Sequence, residues 1–278
     1  MPHTGHFSGI CKLIVTDIDF TFVGGSKQIP PRNLQALDAI KKAGIPLAIA
    51  TGRYWRGIKE IVGQLGLTTP QITDNGATII DPTDERVILS HPLGEEVARL
   101  FYDSFRADGL CPVVGTPMDY FAEEPDAMSV AIMKLHNEYA IPLPEKELRA
   151  LFPTCVKETL YVEKARIPAF RAAVEKARRA ATVANLSFGG FYTEAGIFTL
   201  NAAGVDKLGG VKDLCRVVGC TLDDVLAIGD GDNDAGMLAA CGLGCAVANA
   251  TPAAKEAASY VVASCDDAGF AETVFNAL

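Results

Sequence analysis

Short apolar runs alternate with amphipathic helical patterns in the first part of the chain. The first run is Leu13–Val15, and apolar residues then recur three and four positions apart between Pro31 and Gly44. Proline suits the first turn of a helix and glycine its end, so the pattern predicts a helix there. A second run, Leu47–Ala50, follows at once. Continuous apolar runs are typical of strands buried on both faces, as in a parallel sheet covered by helices.

The same alternation continues and then returns near the carboxyl end. A helix that ends at Gly66 precedes a predicted strand at Gln71–Thr73, and a later apolar helical stripe ends at Gly219. Further predicted strands are Val225–Ile228, Gly244–Val247 and Tyr260–Val262. A helix between the last two of these strands begins at Pro252 after the capping residue Thr251.

The middle of the chain has a different rhythm, with more charges and prolines. Strands are predicted at Ser129–Met133 and Thr159–Val162, and a helix at Pro168–Ala180. We interpret this middle as an inserted domain. The predicted fold class is therefore α/β, a doubly wound, Rossmann-like parallel sheet with an inserted α+β domain. The predicted boundaries are residues 1–82 and 192–278 for the core and residues 83–191 for the insertion.

Composition narrows the class of partner. The 278 residues include 34 acidic and 25 basic side chains, a net charge of −9, which argues against nucleic acid as a partner. No apolar run has the length of about 18 residues that a membrane helix needs, and the first residues resemble no signal peptide. The eight cysteines form no CxxC pair, so reduced, buried thiols and a cytoplasmic location are expected. Oligomeric state leaves no mark on the sequence.

Three polar clusters directly follow predicted strands, and a fourth polar position begins a predicted helix. Asp17 and Asp19 follow the first strand, and Thr51-Gly52-Arg53 follows the second. Lys207 begins a late helix. The acidic loop Gly229–Asp234 follows the predicted strand Val225–Ile228. Because ligands bind beyond the carboxyl ends of strands in a parallel sheet, this placement predicts an enzyme site.

These residue types suit phosphate chemistry. Crowded carboxylates repel one another unless a cation lies between them, and Mg²⁺ prefers oxygen ligands beside a phosphate. Lys207 adds a positive charge, and Thr51 adds a hydroxyl and a backbone N–H near a helix start, which favours an anion. One ionised aspartate can attack phosphorus while a second protonates the leaving oxygen.

Taken singly, these motifs are weak. An Asp-x-Asp sequence is common in loops, and the acidic loop lacks the final glutamate that a calcium-binding loop requires. Arg53 is a candidate substrate contact, although an exposed arginine in a first helical turn explains it equally well. Asn75 is another candidate contact, but Asn75-Gly76 is most simply a tight turn. A dinucleotide-binding or P-loop protein is disfavoured, since neither G-x-G-x-x-G after the first strand nor Gly-Lys is present.

In this order, the motifs resemble those of the haloacid dehalogenase superfamily of phosphohydrolases. Asp17-Ile-Asp19-Phe-Thr21 is similar to its first motif, and Thr51, Lys207 and Gly229–Asp234 are similar to the other three. Asp74-Asn75-Gly76-Ala77 and Val247-Ala248-Asn249-Ala250 further resemble the Cof-type subfamily, which carries a large α/β cap of type IIB between the second and third motifs.

The resemblance implies a magnesium-dependent phosphatase that acts on phosphomonoesters of small metabolites, such as sugar phosphates, through an aspartyl-phosphate. Asp17 would be the nucleophile and a metal ligand. Asp19 would be the acid and base, with its backbone carbonyl on the metal, and Asp230 would bind magnesium.

The other motif residues would hold the phosphoryl group. The resemblance implies phosphate contacts from Thr51 with Gly52, and from Lys207. Asn233 and Asp234 would orient phosphate, water or Lys207, Asp234 from the next shell around the metal.

Phe20 is the one clear departure, since the superfamily usually has glycine after the second aspartate. If the chain needs a positive φ there, phenylalanine is strained. We expect its ring to pack against the cap or near Val23–Gly25. Two alternatives stay open, a sugar phosphomutase of the same superfamily and a phosphate-binding or regulatory module with weakened catalysis.

Overall fold

A computed structural model describes residues 11–123, 130, 133–134, 139–162, 167–192 and 197–278. The chain forms two compact units. The first contains the residues up to Gly52 together with residues 65–86 and 206–278, and the second contains residues 53–64 and 87–205. Within the described ranges no helix has the length and apolarity that crossing a bilayer requires.

The elements follow one another in the order that the apolar pattern predicts for the core. The strands are Leu13–Thr16 (β1), Leu47–Ile49 (β2), Gln71–Thr73 (β3), Thr78–Ile80 (β4), Val87–Ser90 (β5), Val113–Gly115 (β6), Tyr120–Ala122 (β7), Ala140–Pro142 (β8), Lys157–Tyr161 (β9), Phe188–Tyr192 (β10), Ile197–Ala202 (β11), Val225–Gly229 (β12), Leu243–Val247 (β13) and Tyr260–Val262 (β14). The described helices are Pro31–Ala43 (α1), Trp55–Gln64 (α2), Glu95–Ala107 (α3), Glu145–Arg149 (α4), Ile167–Val183 (α5), Lys207–Val218 (α6), Ala235–Ala240 (α7), Pro252–Ala257 (α8) and Gly269–Ala277 (α9).

The first unit is built on a five-stranded parallel sheet in the order β14-β13-β12-β1-β2. Every residue of β1, β2 and β12 is buried, as continuous apolar runs predict. The chain order reverses between β1 and β12, and such a switch point is where open α/β sheets bind ligands. The predicted α/β fold class, with its Rossmann-like parallel core, is confirmed.

The second unit contains a six-stranded sheet in the order β10-β11-β9-β6-β7-β8. Its neighbouring strands are antiparallel except β7 and β8. Helices α3 and α5 pack on each other, and an aromatic-rich core includes Phe101, Phe105, Phe170 and Phe198. This unit has its own core, as an inserted domain needs.

One expectation about the middle of the chain differs from the structure, and another stays untested. Val130 and Met133 are helical, which makes the strand predicted at Ser129–Met133 wrong for these residues, and its other positions lie outside the described residues. The compact units change at residues 86/87 and 205/206, and α2 groups with the second unit. The domain boundaries at residues 83–191 therefore stay a prediction.

Candidate active site

The acidic residues of the first unit follow two neighbouring strands. Asp17 follows β1 and Asp230 follows β12, and β1 and β12 pair in parallel from Leu13↔Val225 onward. Because the two strands are parallel and adjacent, their carboxyl ends lie side by side at one edge of the sheet. The two aspartates therefore meet at the switch point of the sheet.

Three carboxylates and one ammonium form the centre of the site. Asp17, Asp230 and Asp234 each have an oxygen within 4.8 Å of the other two. The Lys207 Nζ donates to Oδ1 of Asp17 and to Oδ1 of Asp234, both at 2.6 Å. Lys207 is only 1% exposed, so these contacts lie out of bulk water. Removing either side of such a buried ion pair leaves an uncompensated charge.

Lys207 occupies an electrostatically unfavourable position. It is the first residue of α6, after the N-cap Asp206, whose side chain accepts from the backbone N–H of Gly209 at 2.7 Å. The amino end of a helix repels a cation. The carboxylates of Asp17 and Asp234 compensate for this, which ties the start of α6 to the acidic centre.

A glycine allows α6 to begin where it does. Gly76 has φ 96°, and a Cβ on it would lie 2.0 Å from the carbonyl oxygen of Asp206. Only glycine fits this position, because the backbone conformation and the close approach both exclude a side chain. The Asn75-Gly76 turn thus packs directly against the residue that precedes Lys207.

Burial and like charges set the ionisation of the centre. Burial raises the pKa of Asp17 well above its usual value, Lys207 lowers it, and the carboxylates of Asp234, Asp230 and Asp19 raise it further. Burial and the Asp234 carboxylate raise the pKa of Asp230 to about 6. Burial lowers the pKa of Lys207, but Asp17 and Asp234 outweigh this and raise it above its ordinary value. The lysine is a fixed cation in this setting.

The loop after β12 is shaped around Asp234. Its Oδ2 accepts from the backbone N–H groups of Asp230 at 3.0 Å and Gly231 at 2.9 Å, while its Oδ1 accepts from Lys207. A Cβ on Gly229 would lie 2.6 Å from the Cβ of Asp234, so the loop needs glycine there. Both oxygens of Asp234 are occupied, which suits a positioning role.

The donor set fits a magnesium ion. Oδ1 of Asp17 accepts from Lys207, and Oδ1 of Asp230 accepts from the Thr21 hydroxyl at 2.9 Å. Asp17 and Asp230 each offer an oxygen to one cluster, within 4.8 Å of each other. A hard divalent cation bound by these oxygens would neutralise the repulsion between the carboxylates.

A second polar group lies at the end of β2. The backbone N–H of Asn75 donates to the Thr51 carbonyl at 2.9 Å, and the Asn233 amide donates to Oδ1 of Asn75 at 3.0 Å. A Cβ on Gly52 would lie 3.1 Å from the same oxygen. Asn75 therefore connects the loops that carry Thr51, Gly52 and Asn233, three of the residues predicted to bind phosphate.

Asp19 and Arg53, two further predicted site residues, make other contacts. Asp19 is partly exposed and its backbone bridges to Val23. Arg53 groups with the second unit, where its guanidinium donates to the Gly57 carbonyl at 3.4 Å. Its expected substrate contact stays a prediction.

Phe20 stands where the first motif usually has glycine, and its backbone has the positive φ, 58°, that this glycine predicts. For a non-glycine residue this conformation costs about 1–2 kcal/mol. Its side chain is 54% exposed, and the expected packing of the ring stays a prediction. The backbone is held by Asn249, whose amide donates to the Phe20 carbonyl at 2.8 Å and whose Oδ1 accepts from the backbone N–H of Cys265.

Two site residues carried no assigned role in the sequence reasoning. Thr21 holds a carboxylate of the acidic centre, and Asn249 holds the loop that carries Asp19. Thr21 stands in the first motif, and Asn249 stands in the segment Val247–Ala250 that resembles the Cof-type subfamily. Their partners are 209 and 229 residues away, so the contacts exist only in the folded chain.

The chain is similar to known hydrolases and phosphatases along most of its length. A model of haloacid dehalogenase-like hydrolases matches residues 14–274. The phosphoglycolate phosphatase of Methanopyrus kandleri is 28% identical over 251 residues, which is 90% of each chain. The 5-amino-6-(5-phospho-D-ribitylamino)uracil phosphatase of Bacillus subtilis is 25% identical over 93% of this chain and 94% of its own length. A haloacid dehalogenase-like hydrolase from Bacteroides thetaiotaomicron has a similar structure, with a TM-score of 0.83 at 26% identity over 96% of this chain and 99% of its own.

Proposed function

The chain belongs to the haloacid dehalogenase-like hydrolases and is a phosphohydrolase, and from this premise we propose that it is a magnesium-dependent phosphatase of small phosphorylated metabolites. The Cof-type subfamily with a type IIB cap, which the motifs imply, is part of this proposal, and its support is a shared fold with a subclass IIB sugar phosphatase and a HAD/COF-like hydrolase. The observation that carries the proposal is the buried centre of Asp17, Asp230, Asp234 and Lys207 at the switch point of the sheet.

Asp17 would attack phosphorus. Its Oδ1 is held by Lys207, which leaves the other oxygen to form the bond to phosphorus. The bond between phosphorus and the leaving oxygen breaks as Asp19 gives its proton to that oxygen. Asp19 then takes a proton from water, whose oxygen attacks the aspartyl-phosphate and releases inorganic phosphate and free Asp17.

The remaining residues would bind and position. Mg²⁺ held by Asp17, Asp230 and the Asp19 carbonyl would neutralise charge on the phosphoryl group. Thr51, Gly52 and Asn233 would contact its oxygens, with Asn75 keeping Gly52 and Asn233 in register. Lys207 would keep the nucleophile ionised and oriented, because its ammonium contacts Asp17 directly.

The substrate is a phosphomonoester, with sugar phosphates among the candidates. The two named relatives act on phosphates of different chemistry, phosphoglycolate and a ribitylaminouracil phosphate, so neither name transfers its substrate. The proposal places the enzyme in the cytoplasm, where its eight free cysteines would stay reduced.

The test is phosphate release from a panel of sugar phosphates, nucleotides, pyridoxal phosphate and flavin mononucleotide. Chelation should stop turnover, and added Mg²⁺ should restore it. Transfer of the phosphoryl group to a second hydroxyl without free phosphate would instead indicate a mutase.

Asp17→Asn should abolish turnover while the circular dichroism spectrum stays unchanged, because the nearly isosteric amide cannot attack phosphorus. Covalent catalysis is part of a barrier reduction of roughly 8–23 kcal/mol in enzymes, so the loss should span several orders of magnitude. An Asp17→Asn variant that keeps a tenth of the wild-type rate would contradict the nucleophile assignment.

A further inference from the structure

Phe20 is unfavourable for the folded chain in two independent ways. It adopts a left-handed backbone conformation, with φ 58°, and it leaves 54% of a large apolar side chain exposed. Neither feature helps the first unit to fold. Strained residues of this kind cluster at active sites and ligand clamps, where the surroundings hold them in place.

The surroundings of Phe20 are built to hold it. Asn249 binds its carbonyl oxygen, and the next residue, Thr21, is buried with its hydroxyl on Asp230. Phe22 is also buried, and its ring meets Phe270 edge-on at 4.7 Å. The chain is therefore anchored directly after Phe20, while the Phe20 ring stays at the surface of the unit.

Phe20 directly follows Asp19, the acid and base of the proposed mechanism. This step rests on the proposed function, in which Asp19 gives a proton to the leaving oxygen. The Cα atoms of Asp19 and Phe20 are about 3.8 Å apart, as neighbours in any chain are. A group joined to the leaving oxygen therefore begins beside Asp19, the residue next to Phe20 in the chain.

We propose that Phe20 is a specificity-determining residue whose ring packs against a flat, apolar part of the leaving group. The enzyme then prefers phosphomonoesters whose alcohol carries a planar ring next to the ester oxygen over those of small hydrophilic alcohols. Ring-on-ring packing adds to simple burial of apolar area, and it is available only while the ring is exposed. The strain and the exposure are then both features of a binding surface.

The experiment compares benzyl phosphate with ethyl phosphate, two alkyl esters that differ in the ring. The variants are Phe20→Asn, which removes the ring and keeps a residue that tolerates positive φ, and Phe20→Tyr, which keeps the ring. Phe275→Ala is the matched control, since Phe275 is 41% exposed on α9 of the same unit.

We expect kcat/KM for benzyl phosphate relative to ethyl phosphate to fall about three- to tenfold in Phe20→Asn, the range that one aromatic contact supplies. Phe20→Tyr and Phe275→Ala should keep the wild-type ratio. Phe20→Asn should unfold at the wild-type temperature or higher, because it relieves strain. An unchanged ratio in an active Phe20→Asn variant would overturn the proposal, and so would a loss of both substrates alike together with a lower unfolding temperature.

Binding separates this inference from the proposed function. If the wild type releases no phosphate from either ester, the phosphatase proposal fails, and calorimetry with benzylphosphonate and ethylphosphonate decides the role of Phe20. Tighter binding of benzylphosphonate that disappears in Phe20→Asn supports the specificity role. Equal binding of the two phosphonates by the wild type overturns it.

Discussion

Single residues at this site do their work through contacts that the fold imposes on them. Lys207 is buried at the repulsive end of a helix, and two carboxylates at 2.6 Å make that position tenable. Asp234 uses both oxygens to hold Lys207 and the loop after β12. Asp230 accepts a hydrogen bond from the Thr21 hydroxyl and has an oxygen within 4.8 Å of an oxygen of Asp17. Asp230 and Asp234 lie in the same loop but make different contacts. Substituting each residue in turn therefore separates their roles.

Asp230→Asn should weaken Mg²⁺ binding at least tenfold, because it removes a carboxylate from the acidic centre. Asp232→Asn is the matched control, since Asp232 is exposed in the same loop. Isothermal titration with Mg²⁺ at neutral pH measures both. Equal losses in the two variants would contradict the assignment of Asp230 as the metal ligand of this loop.

At the scale of elements, α6 links the two polar groups of the site. Its first residue, Lys207, reaches the acidic centre, and the residue before it packs on the turn that contains Gly76. Its other end is closed by Gly219, which has φ 78° and open space where a Cβ would lie. The two glycines share a left-handed conformation but differ in crowding.

Gly76→Ala should lower the free energy of unfolding by more than about 3 kcal/mol, because a methyl group there collides with backbone as well as straining it. Gly219→Ala should cost only the strain of about 1–2 kcal/mol. Urea unfolding of both variants gives the comparison. A Gly76→Ala variant as stable as Gly219→Ala would show that the contact between the turn and α6 is loose.

At the scale of the whole molecule, each unit carries its own buried ionisable groups. The first unit neutralises its buried carboxylates with Lys207. In the second unit, Glu158 lies in β9 between Val114 of β6 and Leu200 of β11, and neither carboxyl oxygen has a hydrogen-bond partner among the described residues. Burial, followed by the nearby charge of Asp103, raises the pKa of Glu158 well above its usual value.

The protein should therefore lose stability as pH rises. A raised pKa means that the folded state binds the Glu158 proton more tightly than the unfolded state, so stability is greatest below the ordinary glutamate pKa of 4.5 and falls as pH climbs toward the folded value. Glu158→Gln removes this dependence and should gain about 1–3 kcal/mol over the wild type at pH 8 relative to pH 5. Denaturant unfolding at both pH values measures the difference, and a pH-independent difference would contradict the prediction.

Thermal stability should not respond to a reductant. All eight cysteines are free, and burial raises the pKa of the Cys241 and Cys245 thiols to about 12. Thiols that stay protonated react slowly with oxidants. Differential scanning calorimetry with and without dithiothreitol should give one unfolding temperature, and a shift of several degrees would reveal a disulfide.

The sequence alone predicted the core elements and the class of enzyme, a phosphohydrolase. Continuous apolar runs and the flanking proline and glycine locate β1, α1 and α6, because burial on both faces and helix ends are local properties. Asp17 and Asp230 were likewise found from their place after such runs. Their alignment into one centre follows from parallel pairing, which the alternation of strands and helices already implies.

Only the tertiary structure decided how the site residues are held. The contact of Lys207 with both Asp17 and Asp234, and the bond from Asn249 to Phe20, join positions from 27 to 229 residues apart. The helix at Val130 likewise contradicted the strand that the local pattern predicts there. Apolar periodicity records whether a residue faces a core, but which distant polar atoms meet depends on strand order and loop closure, and these are properties of the whole folded chain.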